Sequence, residues 1–171
     1  NFDEGLKIIP KIDSQLVLFN NRIDEHHVMT FYYKFASMYF GSGDNDTCIF
    51  YLDKIISNKS LSMRQDLLCF SRILNLFAHY EAGYDYHIDT LLKSTYKFLL
   101  KMNDLHEVQK EMIKFIKSLQ NIYPQDIKKA FIKLHSKLKT FEDDPYESRA
   151  FLYLDIISWL ESNIQNKPIG E

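Results

Sequence analysis

A polar stripe formed by Arg72, Asn75 and His79 offers the clearest candidate chemistry in this sequence of 171 residues. The three residues are three and four positions apart, so a helix would place them on one face. Arginine supplies a fork of donors, asparagine a donor and an acceptor, and histidine a ring that can change its charge. Such a set can hold a carboxylate or a peptide backbone. The competing interpretation is that nearby acids pair with these residues, which then serve helix contacts alone.

The segment that must position this polar stripe is a helix predicted over residues 62–82, with Ser62 as its N-cap. Apolar residues surround most of its circumference, which is typical of a deeply buried helix. An earlier predicted helix carries Tyr33 and Lys34 beside its own packing stripe. We therefore expect a groove between Tyr33 and Lys34 on one side and the polar stripe on the other, in which the tyrosine supplies apolar area with a polar tip.

Two helical patterns joined by a glycine turn occur twice along the chain. The first copy reads Tyr32-x2-Phe35-Ala36-x2-Tyr39 and then Cys48-x3-Leu52, and the second reads Ile73-x2-Leu76-Phe77-x2-Tyr80 and then Ile88-x3-Leu92. This pattern resembles the tetratricopeptide repeat (TPR), a helix-turn-helix unit. The resemblance implies a superhelix of antiparallel helix pairs whose first helices line a concave surface that captures a peptide. Gly43 and Gly83 mark turns 40 residues apart, which exceeds the repeat's usual length of about 34 and leaves a HEAT-like or other α-solenoid as an alternative.

The whole chain is predicted to be all-α, with about eight helices in a single TPR-like repeat domain over residues 1–171. Five glycines and four prolines are too few for the many turns of an all-β fold. Turns are predicted at residues 41–44, 82–85 and 123–124. Pro10 is expected in the first turn of a helix that reaches about Arg22, and Asp144 and Pro145 are expected to begin a capping helix over residues 144–165. Since the sequence begins at Asn1 without a methionine, we expect it to be the C-terminal part of a longer chain.

Residues that bind metals or catalyse reactions are present without the spacing that those roles require. The six histidines include no second histidine placed to complete an H-E-x-x-H pattern with His106 and Glu107. Cys48 and Cys69 lie in separate apolar runs, which predicts buried reduced thiols. Residues 41–44 lack the lysine and the preceding strand of a phosphate-binding loop. We expect no metal, no cofactor and no enzymatic activity.

A basic band between acidic ends suggests a second class of function. Residues 93–139 contain eleven lysines against four acidic residues, and these lysines recur at spacings of three and four along three predicted helices. The alternative function is therefore a nucleic-acid-associated helical domain that uses this band. We favour a solvated face instead, because the band contains no arginine, because aromatic residues are not expected on the lysine face, and because the isoelectric point is about 6.3.

The location and partner class follow from the same features. No run of 18 apolar residues and no charged-then-apolar leader is visible, so we expect a cytoplasmic protein without a membrane partner. The predicted function is a scaffold that binds a peptide or protein segment. The sequence leaves the identity of that partner and the oligomeric state open.

Overall fold

The computed structural model of the protein describes residues 2–19, 22–58 and 65–169. These residues form helices and no strands, which confirms the all-α class. The helices are α1 (Phe2–Leu18), α2 (Glu25–Ser42), α3 (Asn45–Ile56), α4 (Gln65–Glu81), α5 (Asp85–Met102), α6 (Glu107–Leu119), α7 (Pro124–Lys139), α8 (Arg149–Tyr153) and α9 (Ile156–Gln165). The chain divides into two compact units, residues 1–82 and 83–171. The single repeat domain and the superhelix of helix pairs stay predictions.

The first unit is built around α2 and α4. Helix α2 packs against α1, α3 and α4, and α3 also packs against α4. Every residue of α4 from Ile73 to Ala78 is buried, so the expectation of a helix covered on most of its circumference is confirmed. The predicted N-cap of α4, Ser62, lies outside the described residues.

The glycine turn between α2 and α3 begins two residues later than expected, at Gly43. Gly43, with φ of 84°, adopts the left-handed conformation, and its N–H donates to the carbonyl of Phe40. Asp44 then caps α3, because its Oδ1 accepts a hydrogen bond from the Thr47 N–H at 3.1 Å. The spacing therefore predicted the turn correctly, while Gly41 belongs to α2.

Helix α1 corrects the expected role of Pro10. The residue lies inside the helix, not in its first turn, and α1 ends at Leu18, not near Arg22. A proline inside a helix removes one backbone hydrogen bond. Ile9 and Leu16 on either side of it are buried in a unit where α1 packs against α2. Tertiary packing therefore outweighs the local signal.

The second unit surrounds an aromatic cluster. Helix α6 packs against α5 and α7, and α7 packs against α9. The rings of Phe115 and Phe131 meet edge to face with centroids 4.9 Å apart, and Trp159 lies 5.2 Å from Phe131 and 6.2 Å from Phe115. Trp159 is 1% exposed. These three residues fix α6, α7 and α9 as one packed group.

The expected capping helix over residues 144–165 is two helices, so the described chain has one helix more than predicted. Asp144 caps a turn, since its Oδ1 accepts from the N–H groups of Tyr146 and Glu147 at 2.8 and 3.0 Å. The chain is extended again at Leu154, and Asp155 caps α9. The predicted start at Asp144 and Pro145 is also wrong, since α8 begins at Arg149 and Glu147, which precedes it, is held elsewhere. Its carboxylate accepts the Glu107 N–H at 3.0 Å and the Val108 N–H at 2.9 Å, which caps α6 from 40 residues away.

Candidate functional site

The polar stripe forms on α4 as its spacing predicted. His79 Nδ1 lies 2.8 Å from the backbone carbonyl oxygen of Asn75. Asn75 is 5% exposed, and its Oδ1 is buried without a hydrogen-bond partner within the described part of the chain. Arg72 is half-buried, and that burial lowers the pKa of its guanidinium. The stripe is thus largely enclosed by the fold.

The other side of the predicted groove is only partly available. Tyr33 is 5% exposed, so the expectation that it lies beside the packing stripe of α2 is wrong, and it belongs to the buried face. Lys34 is exposed. The two residues and the polar stripe lie on helices that pack together in the first unit. Partner binding by Tyr33, Lys34, Arg72, Asn75 and His79 stays a prediction.

Lys54 covers an aromatic cluster in the first unit. The sequence did not suggest this cluster as a site. The Nζ atom of Lys54 lies 4.7 Å from the ring centroid of Tyr32, 4.6 Å from that of Phe50 and 5.2 Å from that of Tyr51. The hydroxyl of Tyr51 donates to Asp13 Oδ2 at 3.1 Å. Burial, with a further contribution from the Asp13 carboxylate, raises the pKa of Tyr51. A cation already occupies the faces that would attract a cationic ligand.

A groove between α6 and α7 forms a concave surface with mixed chemistry. It has a volume of about 590 Å³, within the range of about 300 to 1,000 Å³ that is usual for ligand clefts. We call it the α6–α7 groove and define it by its lining residues: Glu111, Lys114, Phe115 and Ser118 from α6, and Ala130, Lys133, Leu134 and Lys137 from α7.

The lining follows directly from helix geometry. Each helix contributes residues at positions i, i+3, i+4 and i+7, which form one ridge over two turns. Residues 120–123 reverse the chain, and Pro124 begins α7 at a position where its missing N–H costs nothing. Phe115 and Leu134 form an apolar floor and are 6% and 5% exposed. The spacing of the lysines predicted both ridges but not this floor. The available signal was that an apolar residue directly follows a lysine on each helix, Phe115 after Lys114 and Leu134 after Lys133.

The border of the α6–α7 groove is positively charged. Lys114 Nζ pairs with Glu111 Oε1 at 2.9 Å, and this hydrogen bond and charge raise the pKa of Lys114. Lys137 Nζ lies 5.0 Å from the ring centroid of Phe141. Lys133 is exposed and forms no ion pair with any described residue. Three ammonium groups against one carboxylate leave an excess of positive charge around the floor.

Helix α5 extends the basic surface and changes one expectation. Tyr96 is 46% exposed and lies three residues after Lys93 and one before Lys97, both exposed. It is close enough to Lys114 to contribute to the raised pKa of that lysine. The expectation that aromatic residues are absent from the lysine face is therefore wrong for α5. The periodicity of α5 was the available signal, since a spacing of three or four places Lys93, Tyr96 and Lys97 on neighbouring ridges.

Three further findings concern ligands and environment. Within the described ranges, no group of three or more histidine, cysteine, aspartate or glutamate side chains is placed to hold a metal ion. Cys48 and Cys69 are buried and in no disulfide, as predicted. None of the described helices combines the length and the apolar character needed to cross a membrane.

Comparison with known proteins finds no matching protein family, no curated protein of significantly similar sequence and no solved structure of significantly similar fold. The geometry and charge of this chain are therefore the guide to its function. Among the surfaces described above, the α6–α7 groove combines an apolar floor, an open shape and side chains that can pair with a partner.

Proposed function

We propose that this protein is a non-enzymatic interaction module that binds a segment of another protein in the α6–α7 groove. The observation that carries the proposal is a groove of about 590 Å³ whose lining combines Ala130, three lysines and the small exposed parts of Phe115 and Leu134. Apolar area that leaves water on binding supplies the main favourable free energy of association. The charged border supplies orientation, because rim charges contribute to specificity and association rate more than to affinity.

The shape of the groove favours a helical partner over an extended one. The two ridges run over two helical turns each and form a channel between α6 and α7. A third helix that places residues i, i+3 or i+4, and i+7 in such a channel repeats the packing that joins helices within proteins. An extended strand would need unpaired backbone N–H and C=O groups along the groove, whereas helix backbones already satisfy these groups internally.

The proposal includes an architecture and a location for the protein. We retain a TPR-like superhelix of antiparallel helix pairs as its architecture, supported by the predicted spacing in residues 30–56 and by the turn at Gly43. We also retain a cytoplasmic location, supported by two free thiols, since thiols persist in reducing compartments. No catalytic residue is assigned.

A selection experiment tests the proposal. Random peptides of about four helical turns are displayed and selected on the full chain, and binding of the enriched peptides is then measured on Ser118→Trp, which fills the groove from an exposed lining position. The matched control is Ser136→Trp, because Ser136 is exposed on α7 but does not line the groove. We expect binding to fall at least about tenfold, or about 1.4 kcal/mol, in the first variant and to persist in the second. Equal binding to both variants, or no enriched peptide, would overturn the proposal.

A second candidate function is association with nucleic acid, and Tyr96 is the observation that favours it. An exposed tyrosine between Lys93 and Lys97 offers a face on which a base can stack beside ammonium groups that contact phosphates. Retention on heparin resin at low salt, release at moderate salt and loss of retention in Tyr96→Ala with Lys97→Ala would support this function, because phosphate contacts depend steeply on salt. Failure to bind heparin at low salt would remove it.

A separate experiment tests whether the polar stripe on α4 is a second binding surface. Arg72→Ala is compared with the parent for melting temperature and for binding of the selected peptides. Because Arg72 is half-buried, we expect the substitution to lower the melting temperature and to leave binding unchanged at a temperature where both proteins are folded. Lost binding at unchanged stability would instead support the predicted groove of the first unit.

A further inference from the structure

We infer that the segment bound in the α6–α7 groove is an acidic amphipathic helix whose carboxylates pair with Lys133 and Lys137 while its apolar ridge covers Phe115 and Leu134. This inference rests on the proposed function and adds the charge and pattern of the partner. It commits to a protein helix. A nucleic acid strand and a helix without acidic residues are outcomes of the test below.

The α7 border of the groove carries two lysines. Lys133 and Lys137 are both exposed and are four residues apart, which is one helical turn and about 6 Å along α7. Neither forms an ion pair with a described residue. By contrast, Lys129 on the same helix pairs with Asp126 at 3.2 Å, and Lys139 pairs with Glu142 at 3.0 Å. No described carboxylate therefore pairs with Lys133 or Lys137, and the same holds for the exposed Lys128 outside the groove lining. Lys137 also lies 5.0 Å from the ring centroid of Phe141, which makes Lys133 the more available of the two charges at the groove.

The partner helix needs two carboxylates whose spacing matches that of Lys133 and Lys137. Two carboxylates at positions i and i+4 of a bound helix also lie about 6 Å apart along its axis. They can meet Lys133 and Lys137 together when the two helices run nearly parallel or antiparallel. Charge pairs at the border of an apolar contact are partly shielded from water, which strengthens them relative to fully exposed pairs.

On the α6 border, Glu111 determines which flank of the bound helix can be acidic. Glu111 Oε1 holds Lys114 Nζ at 2.9 Å, so that lysine is already neutralised and the glutamate repels a second carboxylate nearby. The acidic residues of the partner should therefore face α7, and its α6 side should be neutral or polar. A uniformly acidic helix would meet Glu111 and bind less well, because like charges placed opposite each other are disfavoured.

The base of the α6–α7 groove favours an amphipathic helix over a partner that makes only charge contacts. Phe115, Ala130 and Leu134 line the base of the groove, and none of these side chains can donate a hydrogen bond to a phosphate. An amphipathic helix covers the floor and satisfies the lysines in a single arrangement. Helix-in-groove recognition of this kind is read through apolar anchors at i, i+3 or i+4, and i+7.

The test uses a display library in which a peptide of about four turns keeps a fixed apolar ridge at that spacing. Its flanking positions carry glutamate, glutamine or lysine in equal proportion, and selection is performed on the full chain. We expect glutamate to be enriched at two positions four residues apart on one flank. The enriched peptide is then synthesised and titrated by fluorescence anisotropy.

Three variants place the bound helix. Lys133→Glu should weaken binding of the enriched peptide about tenfold, and Lys128→Glu should leave it within about twofold, because Lys128 is exposed on α7 outside the groove lining. Glu111→Gln should tighten binding about twofold to fivefold, since it frees Lys114 and removes a like charge. Circular dichroism of each variant confirms that the helices are retained.

The outcomes separate the two proposals. Peptides that bind in the groove, lose binding in Ser118→Trp, but are enriched in glutamine or lysine would overturn the acidic helix and leave the proposed function intact. No enrichment of any flank together with no binding would overturn both. A single-stranded oligonucleotide that binds the full chain, competes with the enriched peptide and loses affinity in Lys133→Glu more strongly than the peptide does would overturn the acidic helix in favour of nucleic acid.

Discussion

The two units use lysine and apolar surface in opposite ways. In the first unit, Lys54 lies within 4.6 to 5.2 Å of the ring centroids of Tyr32, Phe50 and Tyr51, so the chain covers its own aromatic faces. In the second unit, Lys133 and Lys137 border the α6–α7 groove, and the ring that Lys137 approaches, at 5.0 Å from its centroid, is that of Phe141 outside the groove lining. The same pair of residue types thus closes a surface in one unit and borders a groove in the other.

The register of each lysine against its neighbours explains the difference. Lys54 follows Phe50 by four residues and Tyr51 by three, so its side chain passes directly over both rings on α3. Lys133 follows Lys129 by four residues and has no ring at that spacing. A lysine beside an apolar residue is therefore weak evidence for a site, and the residues one turn away decide whether the surface is free.

The largest expected effect tests the aromatic cluster that holds the second unit together. Trp159→Ala should lower the free energy of unfolding by about 3 to 5 kcal/mol, because the indole is 1% exposed and packs against Phe115 and Phe131. Urea unfolding followed by far-ultraviolet circular dichroism measures the change. The control Leu152→Ala, at a residue that is 85% exposed, should change it by less than about 0.5 kcal/mol. A loss below about 1 kcal/mol for Trp159→Ala would show that this cluster is not the core of the second unit.

The next effect tests the turn of the first unit. Gly43→Ala should cost about 1 to 2 kcal/mol, because φ at this position is 84° and a side chain with a Cβ strains the left-handed conformation. No atom lies within 4 Å of the position that a Cβ would take, so the cost comes from the backbone alone. Gly43→Asn is the control and should cost less, since asparagine tolerates this conformation. Equal melting temperatures for Gly43→Ala and the parent would contradict the turn geometry.

A smaller effect tests whether Lys54 closes the aromatic surface. Lys54→Gln should cost about 0.5 to 1 kcal/mol, because the substitution removes a cation from three ring faces at a partly exposed site. The loss should shrink little in high salt, since attraction to ring faces is short-ranged. A change of zero would mean that the lysine contributes nothing to stability and that the comparison between the units fails.

The smallest effect completes the comparison. Lys133→Gln should change the free energy of unfolding by less than about 0.5 kcal/mol, because the side chain is exposed and lacks an ion pair with any described residue. Chemical denaturation of the two lysine variants side by side measures the contrast. A loss for Lys133→Gln equal to that for Lys54→Gln would indicate that Lys133 stabilises the fold, which would weaken its assignment to partner binding.

Most helix positions followed from the sequence, and the exceptions share one cause. The boundaries near Asp44, Asp85 and Pro124 were predictable because each has a local stop or start signal. The position of Pro10 inside α1 and the start of α8 at Arg149 were not predictable, because burial across α1 and the capping of α6 by Glu147 override local signals. Contacts between residues far apart in sequence leave no periodic pattern.

The candidate site divides in the same way. Periodicity identified the polar stripe on α4 and the lysine ridges on α5 to α7, since residues three or four apart share a helix face whatever the fold. Periodicity did not reveal that Tyr33 and Asn75 are each only 5% exposed, because burial depends on which helices pack together.

The sequence by itself determined an all-α chain, the faces of its helices and the concentration of lysine in residues 93–139, because all of these depend on neighbours within about one or two helical turns. Only the tertiary structure decided which faces meet and which stay open. The α6–α7 groove exists because Phe115 and Leu134 lie on adjacent helices. Those helices meet where Phe115 of α6 packs edge to face on Phe131 of α7, with Trp159 of α9 against both rings, an arrangement that no local spacing encodes.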